Sequence, residues 1–237
     1  SPDRIAHLFT IGQTVSNRLM RWGGLKSTVI RHPSTYEPLE PGRGEHLLAV
    51  GRLHEWKRFD LIIKAFRQTK IDLPLVIAGT GPEEERLREM AEGDDRIRFT
   101  GYIIEQRLRE LYANALATIF PPIHEDLGMV TLESMASGKP VLTTSDSGEP
   151  ALMVEPGRTG WVCAPKPEVL AEQIQWIGTH RDEVEAMTPA CREAVRDVTW
   201  ERVAGALIEA AQKRMETLAR QTFAASGIPP AREGGQR

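Results

Sequence analysis

Residues 116–144 read LATIFPPIHEDLGMVTLESMASGKPVLTT, which is one complete unit of strand, loop, helix and strand. The apolar runs at 116–120 and 141–144 have the length of buried strands, and apolar residues recur three or four apart over 129–137. Strands joined through a helix run parallel, because the chain crosses back over the sheet between them. This stretch therefore predicts a parallel sheet covered by helices.

The same alternation extends outward in both directions. Further short apolar runs lie at 46–50, 75–78, 97–100 and 161–163, and further helical spacing lies at 60–69, 83–92, 105–114 and 150–154. Right-handed crossovers between such strands place helices on both faces of the sheet. The pattern predicts an α/β fold with a Rossmann-like, doubly wound parallel sheet. C-terminal helices are predicted at 167–177, 183–196 and 200–218.

The chain before residue 46 has a separate organisation. A strand, a helix and a strand are predicted within 6–32, followed by a Pro/Gly-rich stretch at 33–44. We therefore predict three parts: residues 1–36 as a separate layer with its linker, 37–215 as the sheet domain, and 216–237 as a partly disordered tail.

Composition excludes several classes of protein. The 237 residues carry a formal net charge of -3, so neither a nucleic-acid partner nor bulk attraction to an anionic membrane is expected. The two cysteines, Cys163 and Cys191, lie outside any CxxC or Cys/His pattern. No apolar run approaches the ~20 residues of a spanning helix, and the N-terminus lacks the pattern of a signal peptide. These features predict a cytoplasmic protein.

Two glycine-containing loops follow the first two strands of the sheet domain, where α/β proteins bind ligands. Gly51 with Arg52 and Lys57 forms a candidate cradle for a diphosphate, although a basic pair such as Lys57 and Arg58 is also typical of a solvated loop. The turn at Gly79 resembles a dinucleotide fingerprint, but its third glycine is replaced and three acids follow. We interpret it as a tight turn before a helix.

A carboxylate stands alone in the predicted helix of the central unit. Glu133 is the one ionisable side chain between Gly128 and Gly138, and burying it unpaired would cost several kcal/mol. A ribose diol offers two hydrogen-bond donors to such a carboxylate. Glu125, in the loop before the helix, is a candidate to reach a bound sugar, and the first N–H groups of the helix suit phosphate oxygens.

His124 beside Glu125 and Asp126 suggests a metal site, but no further ligands follow at suitable spacing and the chain has no Asp-x-Asp pair. We therefore predict a site without a metal ion and without a cofactor.

Four segments together resemble a known family: GRLHEWK at 51–57, GTG at 79–81, FTGY at 99–102 and EDLGMVTLESMASGKPV at 125–141. They resemble the C-terminal, donor-binding half of a group 1 (family 4) retaining glycosyltransferase with the GT-B fold. The resemblance covers residues 47–160, with weaker similarity to residue 200. Residues 14–34 resemble the last helix and strand of that family's N-terminal, acceptor-binding domain, the rest of which is missing here.

The resemblance implies transfer of a sugar from a nucleotide-diphosphate sugar to a saccharide, lipid-linked or small-molecule acceptor. Catalytic roles fall on Arg52 and Lys57 at the diphosphate and on Glu125 at the transferred sugar, while Glu133 would bind the ribose. The remaining donor-binding positions implied by the resemblance are Gly51, Gly79, Tyr102, Ile103, Gly128, Met129 and Val130.

Two departures from the family pattern affect these expectations. Leu152 stands where the family usually has a glutamate, for which Glu149 is an alternative. The family's catalytic histidine lies in the missing half, so the chain alone is expected to be an incomplete enzyme, and the missing half could bring it to a membrane surface. The alternatives are a nucleotide-sugar-binding module without turnover and a nucleotide-sugar epimerase. A glycoside hydrolase is disfavoured because cations opposite a leaving diphosphate would be superfluous.

Overall fold

The computed structural model describes residues 7–34 and 37–226. The strands are β1 (Phe9–Thr10), β2 (Thr28–Val29), β3 (His46–Val50), β4 (Leu75–Ala78), β5 (Ile97–Gly101), β6 (Ala115–Ile119), β7 (Val141–Thr144) and β8 (Gly160–Cys163). The helices are α1 (Gln13–Gly23), α2 (Phe59–Phe66), α3 (Glu84–Ala91), α4 (Glu105–Asn114), α5 (Met129–Ala136), α6 (Glu149–Met153), α7 (Pro167–Thr179), α8 (Arg181–Glu185), α9 (Thr188–Val195) and α10 (Trp200–Ser226).

Strands β3 to β8 form one six-stranded parallel sheet in the order β5-β4-β3-β6-β7-β8. The chain builds outward from β3 to β5 and then returns to place β6 on the other side of β3. This confirms the predicted α/β, Rossmann-like sheet. Strands β1 and β2 pair with each other in a separate parallel sheet, apart from the six-stranded one.

Alternation of side chains along the strands supplies both faces of the sheet with apolar residues. Leu47 belongs to a cluster with residues of α2, α3 and α7, whereas its neighbour Leu48 packs with Leu111 and Tyr112 of α4. A third cluster joins Phe120 to α5 and α9. Because both faces are covered, the chemically varied loops gather at the ends of the strands.

Two predictions about the C-terminal helices are wrong in their bounds. The single helix predicted at 183–196 is divided into α8 and α9, because Pro189 lies in the first turn of α9 and has no N–H to continue the ladder of α8. Helix α10 continues to Ser226, past the predicted end at 218, through the good helix formers Ala219, Arg220 and Gln221. The predicted tail boundary at 216 therefore falls inside this helix.

The remainder of that tail, 227–237, lies outside the described residues, as do residues 1–6 and 35–36 of the predicted first layer. Within the described part of the chain, no helix combines the length and the apolar character that crossing a bilayer requires.

Candidate functional site

The site lies at the switch point of the strand order, between the neighbouring strands β3 and β6. The loops that follow these two strands form it. In open α/β sheets the crevice outside the carboxyl ends of the strands at such a point is the usual place for a ligand. Lys57, from the loop after β3, forms an ion pair with Glu125, from the loop after β6. The Lys57 ammonium also lies 5.4 Å from the centre of the Phe120 ring. A cation and a carboxylate that the sequence separates by 68 residues thus meet at this crevice.

The position of Glu125 is set by the loop after β7. Its backbone N–H donates to the carbonyl of Ser147 at 2.9 Å, and its own carbonyl accepts from the N–H of Glu149 at 2.8 Å. Gly148 lies against this loop so closely that a Cβ there would be 2.5 Å from the Glu125 carbonyl oxygen. Two backbone hydrogen bonds and this close approach therefore hold the backbone of Glu125 against the loop after β7.

Five of the predicted donor-binding residues line one open cavity of about 490 Å³. They are Gly51, Arg52, Gly79, Tyr102 and Ile103. A Cβ on Gly79 would lie 2.0 Å from the carbonyl oxygen of Gly51, so glycine is required for the two loops to approach each other. Arg52 is exposed and makes no hydrogen bond or ion pair within the described ranges, which leaves its guanidinium available to an anion.

Helix α5 begins at this crevice. Gly128 precedes its first residue with a φ of 73°, and a Cβ there would lie 2.9 Å from Pro150 Cγ. The N–H groups of the first helical turn, which includes Met129 and Val130, are the ones that a helix leaves without internal acceptors. The start of α5 therefore presents N–H donors at the same edge of the sheet as Lys57, the edge formed by the carboxyl ends of the strands.

Glu133 lies on α5, half-buried, and two hydroxyl groups contact it. The hydroxyl of Tyr112 donates to Oε2 at 2.9 Å, and Oγ of Ser34 donates to Oε1 at 3.4 Å. Burial raises the pKa of this carboxyl, and the two hydrogen bonds oppose the rise. The expectation that Glu133 needs a partner was right, and the partners that the structure shows are protein hydroxyls.

A stability prediction follows from the raised pKa of Glu133. Because the folded chain holds this proton more tightly than the unfolded chain, the charged carboxylate lowers stability above the unfolded pKa, and the penalty disappears as pH falls below that value. We expect Glu133→Gln to raise the unfolding temperature at pH 7 and to leave it nearly unchanged near pH 4. Thermal unfolding at the two pH values measures this, and an equal loss of stability at both would contradict it.

Arg58 has a different role from its neighbour Lys57. Its guanidinium donates to the carbonyls of Pro121 and Pro122 at 2.6 and 2.7 Å, and to Asp146 at 2.7 and 2.9 Å. Burial disfavours the charge on Asp146, but the hydrogen bonds from Arg58 and Thr144 hold the pKa of that carboxyl below its usual range. Arg58 therefore braces the loops after β6 and β7, a function that its position in a basic pair did not reveal.

Glu149 is also already engaged. Its side chain is fully buried, pairs with Arg31, and accepts from the N–H and hydroxyl of Thr14 at 3.0 and 3.2 Å. It thus ties α1 and the segment after β2 to the sheet domain. Its role in place of the glutamate that the family has at Leu152 stays a prediction. Leu152 itself is 57% exposed. A second ion pair, between Arg18 and Asp126 at 2.7 Å, joins α1 to the loop after β6.

The residues described here contain no group of three or more His, Cys, Asp or Glu side chains placed to hold a metal ion. His124 has a φ of 52° and lies exposed beside Glu125. The absence of a metal requirement stays a prediction.

Comparison with known proteins identifies the class to which this fold and site belong. The family "Glycosyl transferases group 1" matches residues 31–194, which is more than half of the chain. The chain therefore belongs to the group 1 glycosyl transferases, and the family predicted from the sequence is confirmed.

Individual relatives agree with this assignment. The chain is 28% identical over 203 residues to a sulfoquinovosyl transferase, SQD2, of Arabidopsis thaliana, covering 81% of this chain and 39% of that protein. It is 32% identical over 166 residues to a GDP-mannose-dependent alpha-(1-6)-phosphatidylinositol dimannoside mannosyltransferase of Mycobacterium tuberculosis, covering 68% and 42%. The chain spans about two-fifths of the length of these relatives.

A solved structure shows the same fold. HepE of Anabaena, crystallised in complex with UDP and glucose, superposes with a TM-score of 0.72 at 18% identity, over 91% of this chain and 63% of that chain.

Proposed function

We propose that the crevice binds a nucleotide-diphosphate sugar and forms the donor half of a retaining glycosyltransferase that needs no metal ion. The observation that carries the proposal is the contact of Lys57 with Glu125 across the switch point of the strand order. It brings a cation suited to phosphate and a carboxylate suited to sugar hydroxyls into one site. Transfer to an acceptor hydroxyl, with retention at the anomeric carbon, is part of the same proposal.

The cations act on the leaving group. Transfer breaks the bond between the anomeric carbon and a diphosphate oxygen, and the electron pair leaves with the diphosphate. The anomeric carbon forms its new bond to the acceptor oxygen, whose proton passes to the departing diphosphate. Fixed positive charges and N–H dipoles at that oxygen stabilise the transition state more than the ground state. Arg52, Lys57 and the N–H groups at Met129 and Val130 would supply this stabilisation. Lys57 is paired with Glu125 before the donor arrives, so the diphosphate would share Lys57 with that carboxylate.

The remaining groups would orient the donor. Glu125 would accept hydrogen bonds from hydroxyls of the transferred sugar, and Glu133 from the ribose. Tyr102 is 80% exposed at the rim of the cavity, so its ring is available to pack on the base together with Ile103. The glycines at 51 and 79 leave space for the donor to approach the backbone.

The nucleotide base that the site prefers is tested by comparing two nucleoside diphosphates. One relative is named as GDP-mannose-dependent, and HepE was crystallised with UDP. Calorimetry of the 237-residue chain with UDP and with GDP should show binding of at least one of them. Lys57→Ala should weaken that binding about ten- to hundredfold, since a hydrogen bond to a charged group contributes about 1.5 to 3 kcal/mol.

Arg196→Ala is the matched control, because it removes an exposed cation at the end of α9 that does not line the cavity. Its affinity should equal that of the unchanged chain. If the folded chain binds neither nucleotide, the site assignment is wrong. If it converts a nucleotide sugar into an epimer with no acceptor present, the epimerase alternative replaces transfer.

A further inference from the structure

The hydroxyl of Tyr112 contacts the carboxylate that is proposed to bind ribose. Tyr112 donates to Oε2 of Glu133 at 2.9 Å, a distance typical of a good hydrogen bond to a carboxylate. The two residues come from different elements, α4 and α5, which lie on the same face of the sheet. The contact therefore fixes the Glu133 side chain relative to a second, independent helix.

Tyr112 is well placed to act as a rigid support. Its side chain has no exposed surface, and it packs with Leu48, Ala78 and Leu111. Leu108, one turn earlier on α4, packs in the same cluster and also lines the open cavity beside Ile103. A tyrosine held in this way loses little freedom when a ligand binds, because packing has already selected its rotamer.

The two oxygens of Glu133 have unequal partners. Oε2 has the buried Tyr112 hydroxyl, whereas Oε1 has Ser34 at 3.4 Å, near the upper limit for a hydrogen bond. Ser34 follows β2 and is only partly buried. A ribose hydroxyl that reaches Oε1 can replace this long contact with a shorter one, while the Tyr112 contact is retained.

We propose that Tyr112 is a positioning residue for donor recognition: it holds Oε2 of Glu133 so that Oε1 is presented to the ribose diol, and Ser34 occupies Oε1 until the donor binds. The proposal rests on the proposed function, because it assumes that Glu133 contacts the ribose. It adds two residues that the sequence motifs did not include. Tyr112 does not touch the donor, and its effect passes through Glu133.

The test measures whether the effect of removing the Tyr112 hydroxyl depends on the presence of the ribose hydroxyls. Calorimetry is performed with UDP or GDP, whichever the unchanged chain binds more tightly, and with the 2′,3′-dideoxy analogue of the same nucleotide. Tyr112→Phe keeps the packed ring and removes only the hydroxyl. It should weaken binding of the ribonucleotide about tenfold or more. Binding of the dideoxy analogue, already weaker, should not change further, because the analogue has no hydroxyl for Glu133 to accept.

Ser34→Ala provides the contrasting variant. It should leave ribonucleotide affinity unchanged or make it tighter, because the group that competes for Oε1 is removed. Thermal unfolding of both variants separates an affinity change from a loss of fold. An equal loss of affinity for ribonucleotide and dideoxy analogue in Tyr112→Phe would show a merely structural role and overturn the inference, as would an unchanged ribonucleotide affinity. If the unchanged chain binds neither nucleotide, the proposed function itself fails first.

Discussion

Replacing Arg52 with alanine should lower the turnover number of sugar transfer about 10²- to 10³-fold, the usual effect of removing one preorganised group that stabilises developing charge. Arg52 is exposed at the open cavity and has no ion-pair partner in the described part of the chain, so its charge does not stabilise the fold through an ion pair. The diphosphate becomes more negative as the glycosidic bond breaks. The loss should therefore be larger in kcat than in donor affinity.

Because this chain alone is expected to be an incomplete enzyme, the rate is measured in a protein that also carries an acceptor-binding domain, as nucleoside diphosphate release from a nucleotide sugar with acceptor present. The nucleotide affinity of the same variant is measured alongside. Arg52→Lys should recover part of the rate, because it restores the charge without the planar pair of donors. Near-normal turnover in Arg52→Ala would show that Arg52 is not part of the catalytic machinery. Equal losses in kcat and in kcat/KM, with unchanged nucleotide affinity, would show that Arg52 acts only in the transition state.

Replacing Glu149 with alanine should lower the free energy of unfolding by about 3 kcal/mol. The carboxylate is completely buried, and its loss leaves the Arg31 guanidinium and the N–H of Thr14 without their acceptor. Removing one partner of a buried pair typically costs about 3 to 5 kcal/mol. The lower value applies because Arg31 keeps 31% of its side-chain surface in water. Helix α1 should lose protection against amide exchange before the six-stranded sheet does.

Glu155→Ala is the matched control, since Glu155 also pairs with an arginine, Arg158, but both side chains are more than half exposed. It should change stability by less than about 1 kcal/mol, as exposed ion pairs do. Urea denaturation followed by circular dichroism measures both variants. If Glu149→Ala lowers the free energy of unfolding by no more than Glu155→Ala does, Glu149 does not anchor α1 and Arg31 to the sheet domain.

The spacing of apolar residues along the sequence was sufficient to predict the six-stranded sheet and most of its helices. Helix α4 has the predicted bounds, and β7 matches the run at 141–144, because strand and helix periods are properties of the local sequence. The misplaced helix ends arose where local signals compete. Pro189 interrupts an otherwise helical pattern, and α10 continues past 218 through residues of high helix propensity before the Gly/Pro-rich end of the sequence.

Much of the candidate site could also be predicted. Gly51 and Arg52 were expected at the carboxyl edge because loops that follow parallel strands converge there, and the resemblance to the family added Gly79, Tyr102 and Ile103. All five line one cavity. Their roles toward a donor stay predictions.

The sequence by itself determined the parallel sheet, the loops that meet at its carboxyl edge, and the presence there of cations and carboxylates, because these follow from patterns within one strand-helix unit. Only the tertiary structure decided which side chains share a contact. Glu133 meets Ser34 across 99 residues, and Glu149 meets Arg31 across 118. Such pairs depend on the angle and depth at which separate elements pack, and no local period of the sequence encodes either.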